Sequence, residues 1–133
     1  MKYNHFDDFK HWYNVFQYWF AHWCAFNMTA MNMGVWKFHH LFHDWYKPWM
    51  NIFVSYDKVH HYHQTHSDHH LEYYKRTGKC NWTDLVVDWE CSQYTKEYGK
   101  LPARDYLNKM VEAGKVDEAT AKLIDAELVK YEL

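Results

Sequence analysis

The chain has 133 residues, enough for one domain around one core. Hydrophobic residues make up 48% and aromatics 21%, and only four glycines and two prolines interrupt them, so a mostly helical fold is expected. The formal net charge of −2 supplies no global field for nucleic acid or anionic lipid.

In chain order, Asp7 or Asp8 can cap a first helix over about residues 8–32. Residues 11–36 contain no Asp, Glu, Lys or Arg, a length that could span a bilayer. But His11, Asn14, Gln17, His22, Asn27, Thr29 and Asn32 are each costly in lipid. The run is therefore read as a helix buried on most sides within a small protein, with no membrane partner. His11, Val15, Tyr18 or Trp19, and His22 recur at steps of three or four and share one face. The N-terminal MKYNHFDDFK is too polar for a signal peptide. Cys24, Cys80 and Cys91 have no CxxC spacing and are expected as reduced thiols of a cytoplasmic protein.

Gly34 ends the first helix, and a second over about 35–46 is expected to carry Trp36, His39, His40 and His43 on one side. Pro48 opens a third, over about 48–64, delivering His60, His61 and His63. Ser67 or Asp68 caps a short helix with His69, His70 and Glu72, ending at Gly78. Asn81 or Thr83 caps a helix over about 83–97, with Leu85, Val86, Asp88, Trp89 and Ser92 inward and Gly99 at its end. After Gly99 there are no histidines and no tryptophans. Helices from about Pro102 to Gly114 and from Asp117 to Glu132 form a hairpin over 100–133 that completes the core of the 1–99 part, making one all-α domain. The tryptophans are expected in the core rather than as a substrate platform.

Twelve histidines are the outlying number. The stretch HHLFHDWYK (39–47) contains the adjacent pair His43-Asp44, which offers a divalent metal one nitrogen and one oxygen. Further donors lie at His11, with His22 as its rival, at His63, with His60, His61 and His66 as rivals, and at His69, His70 and Asp88. His5, His39 and His40 are set aside as non-ligands. A helical bundle can bring such side chains to one interior point. The donor set suits one or two ions of Fe, Mn, Zn or Mg rather than a thiolate-bound metal.

The order His … His-Asp … Asp on helices resembles the HD-domain superfamily of metal-dependent phosphohydrolases. HDWYK (43–47) resembles its HD-x-x-K form. The set is most similar to a small family of bacteria and their phages, matched by HWYNV (11–15), HDWYK, SDHHLEYY (67–74) and VVDWE (86–90). The chain differs from that family at Ser67 and Tyr74 and lacks the glycine-rich features of the cyclic-dinucleotide branch. The resemblance implies an HD-like helical bundle. It implies a first metal on His11, His43, Asp44 and Asp88, and a second on His63, His69 and His70, with Asp44 bridging. It further implies attack on phosphorus by metal-bound hydroxide, Asp44 and Lys47 being the catalytic residues. Lys47 and Arg76, assisted by Lys75, would bind the phosphate of a nucleotide or another small phosphoester. A di-iron oxygenase of the same fold, and a non-catalytic nucleotide-binding or structural-metal module, are the competing expectations. The sequence leaves the oligomeric state open.

Overall fold

The computed structural model describes residues 5–95 and 101–133, with side chains from residue 10 onward. The secondary structure of the described residues is all helical. The helices are α1 (His5–Asn32), α2 (Lys47–Phe53), α3 (Tyr56–His66), α4 (Leu71–Thr77), α5 (Trp82–Ser92), α6 (Ala103–Glu112) and α7 (Glu118–Lys130). No described helix is long and apolar enough to cross a membrane. No disulfide joins Cys24, Cys80 or Cys91 among the described residues.

The helix around which α1, α4, α6 and α7 assemble is α5. Leu85, Val86 and Val87, three consecutive residues, are all fully buried, so α5 is covered on more than one side. Leu85 and Val86 pack with Leu71 of α4, Ala103 and Leu107 of α6, and Ile124 and Leu128 of α7. Val87 and Cys91 pack with Phe26 and Ala30 of α1. Truncating Ile124 or Leu128 to alanine in such a core costs about 2–5 kcal/mol. The termini are capped by side chains where the sequence supplies them. Asn81 Oδ1 accepts from Asp84 N at 3.1 Å, and Asp117 Oδ1 accepts from Thr120 N at 2.7 Å. At α6 the cap comes from another helix, because Glu90 Oε2 of α5 accepts from Ala103 N at 2.8 Å. Gly78 ends α4 in the left-handed conformation with φ +72°.

Three expectations are corrected. First, α1 is not buried on most sides. His22, Phe26, Asn27, Thr29 and Ala30 are buried, while Tyr13, Tyr18, Phe20, Met28 and Met31 are exposed. Twenty-eight helical residues extend about 42 Å, longer than a small domain is wide, so this chain cannot surround the whole of α1. Second, residues 35–46 form no α-helix. A short 3-10 helix over Phe38–Phe42 is followed by turns. Third, the helix expected over 48–64 is two helices, broken between Phe53 and Tyr56, where Val54 and Ser55 are extended. The side chains of Asp7 and Asp8, and Gly99, lie outside the described residues.

The irregular segment is affordable because side chains of α1 replace its missing helical hydrogen bonds. Trp23 Nε1 donates to Leu41 O at 2.8 Å and Asn27 Nδ2 to His40 O at 3.1 Å, while Trp12 Nε1 ties the start of α2 to α1 by donating to Pro48 O at 2.7 Å. Trp36 Nε1 closes the arrangement by donating to Asn27 Oδ1 at 2.8 Å. Trp12, Trp23 and Trp36 thus act as donors that hold the segment carrying His43 and Asp44 against α1, whereas Trp45 and Trp49, expected in the core, are exposed.

Candidate metal centre

Asp44 is the pivot of the site. Its φ is +53°, a left-handed conformation that costs a residue with a Cβ about 1–2 kcal/mol. The turn is closed by Lys47 N donating to Asp44 O at 3.1 Å. It drives the carboxylate inward between two groups of imidazoles. Oδ2 lies 3.3 Å from His43 Nε2 and 2.9 Å from Lys47 Nζ. Oδ1 lies 3.4 Å from His63 Nε2 and 3.7 Å from His69 Nε2.

On the first side stand α1 and α5. His22 Nε2 is 2.9 Å from Asp88 Oδ1 and 3.2 Å from His43 Nε2. Asp88 Oδ1 is 3.7 Å from His43 Nε2. The His43 ring is clamped flat on Phe26, with centroids 3.6 Å apart. On the second side, His63 from the last turn of α3 meets His70 from the loop before α4, Nε2 to Nε2 at 2.7 Å. The ring of His69 stands 5.3 Å from that of His63 and 4.4 Å from that of His70. Ligand atoms of His22, His43 and Asp44 all fall within 4.8 Å of one another, and so do those of His63, His69 and His70. The same holds for His43, His69 and Asp88, which joins the two sides.

The donor set fits a metal ion on three counts. Two ligands of one ion at about 2.1 Å stand roughly 3 Å apart at right angles, and the ring nitrogens face one another at 2.7 and 3.2 Å. His69 Nε2 is buried with no hydrogen-bond partner, and so is Asp44 Oδ2, which Lys47 meets off the hydrogen-bonding direction. Finally, the far nitrogens are held by a second layer of groups. Tyr46 Oη and Ser67 Oγ contact His63 Nδ1, at 2.5 and 2.9 Å. Asp68 Oδ1 lies 3.8 Å from His69 Nδ1, and Cys91 Sγ 3.8 Å from His22 Nδ1. The Cys91 thiol donates to Asp88 O at 3.2 Å, so toward His22 its sulfur would act as acceptor. Each proton placed on Nδ1 leaves an Nε2 lone pair facing the centre.

Electrostatics match. Burial alone would raise the Asp44 carboxyl, but the His43, Lys47, His63 and His69 charges hold it far below the usual carboxylate range. Asp88 is likewise held well below that range, its burial outweighed by hydrogen bonds with His22 and His43. Burial pushes His43 and His63 down, and pushes His70 down to about 3. These are charged carboxylates and neutral imidazoles, the protonation states that metal binding requires. His69 is the exception: burial lowers it, but Asp68, Asp44 and Asp88 together raise it above its ordinary value.

A cleft of about 280 Å³ opens onto this centre. Lys47, His60 and Glu72 are among its polar lining, and Tyr18, Tyr56, Trp89 and Tyr106 supply aromatic walls. The helix α6 contributes Tyr106 and Met110, so the C-terminal hairpin helps to shape the mouth.

The structure brings together six of the seven expected ligands: His43, Asp44, His63, His69, His70 and Asp88. His11 is not among them. It is exposed on α1 and lies eleven residues, about 16 Å of helix rise, from His22, which occupies the place assigned to it. The two share a helical face because eleven residues make just over three whole turns, so periodicity alone could not separate them. Arg76 also stands elsewhere. It is exposed, its Nε donates to Thr65 O at 2.9 Å, and its guanidinium lies over the Tyr73 ring. Neither Arg76 nor Lys75 lines the cleft, whereas Lys47 does. Ser67 caps no helix but serves His63, and α4 begins after His70. Tyr46, Asp68 and Cys91 were missed as supporting residues. The adjacency of Asp68 to His69 was the one available signal, since the other two meet their histidines only through the fold.

A second constellation, His39, His40 and Asp84, lies beside the first. His40 is buried, its Nδ1 accepts from Lys37 N at 2.9 Å, and its Nε2 therefore donates to Asp84 Oδ1 at 2.8 Å. Both ring nitrogens are used, so this group ties the 3-10 helix to α5. Set against known families, curated proteins and solved structures, the chain matches no family model, no curated protein and no solved structure.

Proposed function

We propose that the protein is an HD-type metal-dependent phosphohydrolase acting on a nucleotide or another small phosphoester. The observation that carries this reading is the Asp44 carboxylate, set between two groups of imidazoles with Lys47 beside it on the floor of an open cleft. His22, His43, Asp44 and Asp88 would hold one divalent ion, and His63, His69 and His70 a second, with Asp44 reaching both. An ion held there supplies Lewis acidity and lowers the pKa of water. Iron, manganese, zinc and magnesium are the candidates.

The chain's own groups supply the remainder. With Asp44 committed as a ligand, the Lys47 ammonium is available to a phosphoryl oxygen entering the cleft, a charge-assisted contact at the point where negative charge gathers. The second layer, Tyr46 and Ser67 on His63 and Asp68 on His69, fixes ring orientation so that little reorganisation accompanies reaction. Tyr18, Tyr56, Trp89 and Tyr106 offer flat apolar area to the organic part of the ester and restrict water around it.

The test is phosphate release from a panel of nucleotides by protein loaded with each metal in turn, beside Asp44→Ala. Release that requires Asp44 supports the reading, and none with any metal overturns it. One observation favours a second reading. Five imidazoles against two carboxylates is a nitrogen-rich set that suits iron, as a di-iron oxygenase requires. Co-purification of two iron equivalents with an oxygen-sensitive visible spectrum would select it.

A further inference from the structure

The segment that supplies His43, Asp44 and Lys47 to the cleft has a second face. Phe38, Phe42, Trp45, Trp49, Ile52 and Phe53 all lie within these sixteen residues and turn outward. Phe53 is 88% exposed and the other five between 51% and 68%. None of the six lines the cleft. Phe38 and Phe42 contact each other through their rings, with centroids 5.7 Å apart. Trp49, Ile52 and Phe53 share one side of α2 through steps of three and four.

We propose that this face is the interface of a homodimer, covered by the same face of a second copy of the chain. Three observations favour that occupant. The first is area. A large apolar side chain offers roughly 150–250 Å², so these six at their observed exposures present about 700 Å². A standard interface takes roughly 800 Å² from each partner. The second is charge. The two charged residues of segment 38–53, Asp44 and Lys47, are turned into the site and paired with each other. The six side chains thus carry neither sign and meet their own copies without the like-charge repulsion that two-fold symmetry imposes on a charged patch. The third is composition: five of the six are tryptophan or phenylalanine rings clustered on short elements, far beyond the scattered apolar residues normal on a monomer. The inference stands independently of the proposed chemistry. It adds that dimerisation presses on the back of the segment whose front presents Asp44.

The experiment is sedimentation equilibrium of the full chain across its soluble concentration range, beside Trp49→Glu and Phe53→Glu. The expected result is a mass twice the 16.5 kDa of the chain, shifting to the monomer mass in both variants while far-UV circular dichroism stays unchanged. Both side chains are exposed, so the variants should fold. A monomer at every concentration overturns the proposal, and so does a dimer that survives both substitutions. A monomer that instead binds neutral phospholipid vesicles, with binding lost in both variants, overturns it in favour of a membrane surface.

Discussion

The 3-10 helix Phe38–Phe42 and the turn after it feed two constellations of histidine and aspartate, one centred on Asp44 and one on Asp84. The residue types are the same, the histidines are three apart in sequence, and His40 and His43 are both buried. What separates them is where the proton sits. At Asp84, an amide N–H bonded to His40 Nδ1 puts the ring proton on Nε2, and the carboxylate consumes it. At Asp44, ring nitrogens face each other at hydrogen-bond distance, and His69 Nε2 and Asp44 Oδ2 are left without hydrogen bonds. A histidine–carboxylate contact is thus a structural tie when its lone pairs are spent, and a ligand set when they are left over.

The largest expected effect comes from exchanging the roles of the two aspartates. Asp44→Ala should weaken metal retention by more than about 100-fold, since loss of outer-layer partners alone costs up to that much. Asp84→Ala should leave metal content unchanged. Elemental analysis of both variants, purified without chelator, checks this directly. Equal metal loss in the two would erase the distinction.

The complementary effect is on stability. Asp84→Ala strands the buried His40 Nε2–H and should cost about 1–3 kcal/mol, a fall in Tm of roughly 4–12 °C. Asp84→Asn should recover most of it, because an amide oxygen still accepts the proton. Calorimetry of the three proteins at pH 7 measures the difference. Identical Tm values would mean that His40–Asp84 ties nothing together.

Acidification sharpens the contrast from the other side. The folded-state pKa of His70 is near 3 and that of His63 is also depressed, both below the unfolded value of about 6.5. Below pH 6.5 the unfolded chain therefore takes up protons that the folded chain refuses. The stability from these two groups is present above that pH and is lost progressively as pH falls toward about 3. Each depressed histidine should cost metal-free protein about 2 kcal/mol between pH 6.5 and 5. His69, raised above its ordinary value, works in the opposite direction and offsets part of the loss. Asp44 and Asp88, held low, add their own loss only below about pH 4. Thermal melts of chelator-treated protein at pH 7 and 5 test this, and a flat Tm would contradict the buried neutral imidazoles.

The smallest effect is expected at Asp68, which touches His69 from outside the centre. Asp68→Ala should weaken metal binding about 10-fold with a change in stability under about 1 kcal/mol, because the carboxylate is largely exposed. Titration with a competing chelator reads the affinity. An unchanged value would remove Asp68 from the site.

Much of the architecture was legible in the chain. Low Gly and Pro, caps at Asn81 and Asp117, and the stop at Gly78 are local chemistry, and local chemistry placed α4 to α7 within a few residues. The 3-10 stretch was not legible: His39, His40 and His43 have helical spacing, but the segment's hydrogen bonds are made by Trp23 and Asn27 of α1. Nor was the exposure of α1, which depends on how much chain remains to cover it.

The sequence by itself determined an all-helical chain, the candidate donors and their order, because periodicity, capping and residue type act over a few neighbours. Only the tertiary structure decided that His22 rather than His11 joins the centre, that His63 joins it while His61 and His66 stay at the surface, and that Lys47 rather than Arg76 faces the cleft. Those outcomes rest on distances between helices and on which ring nitrogen finds a partner, and neither exists until α1, α3 and α5 are packed together.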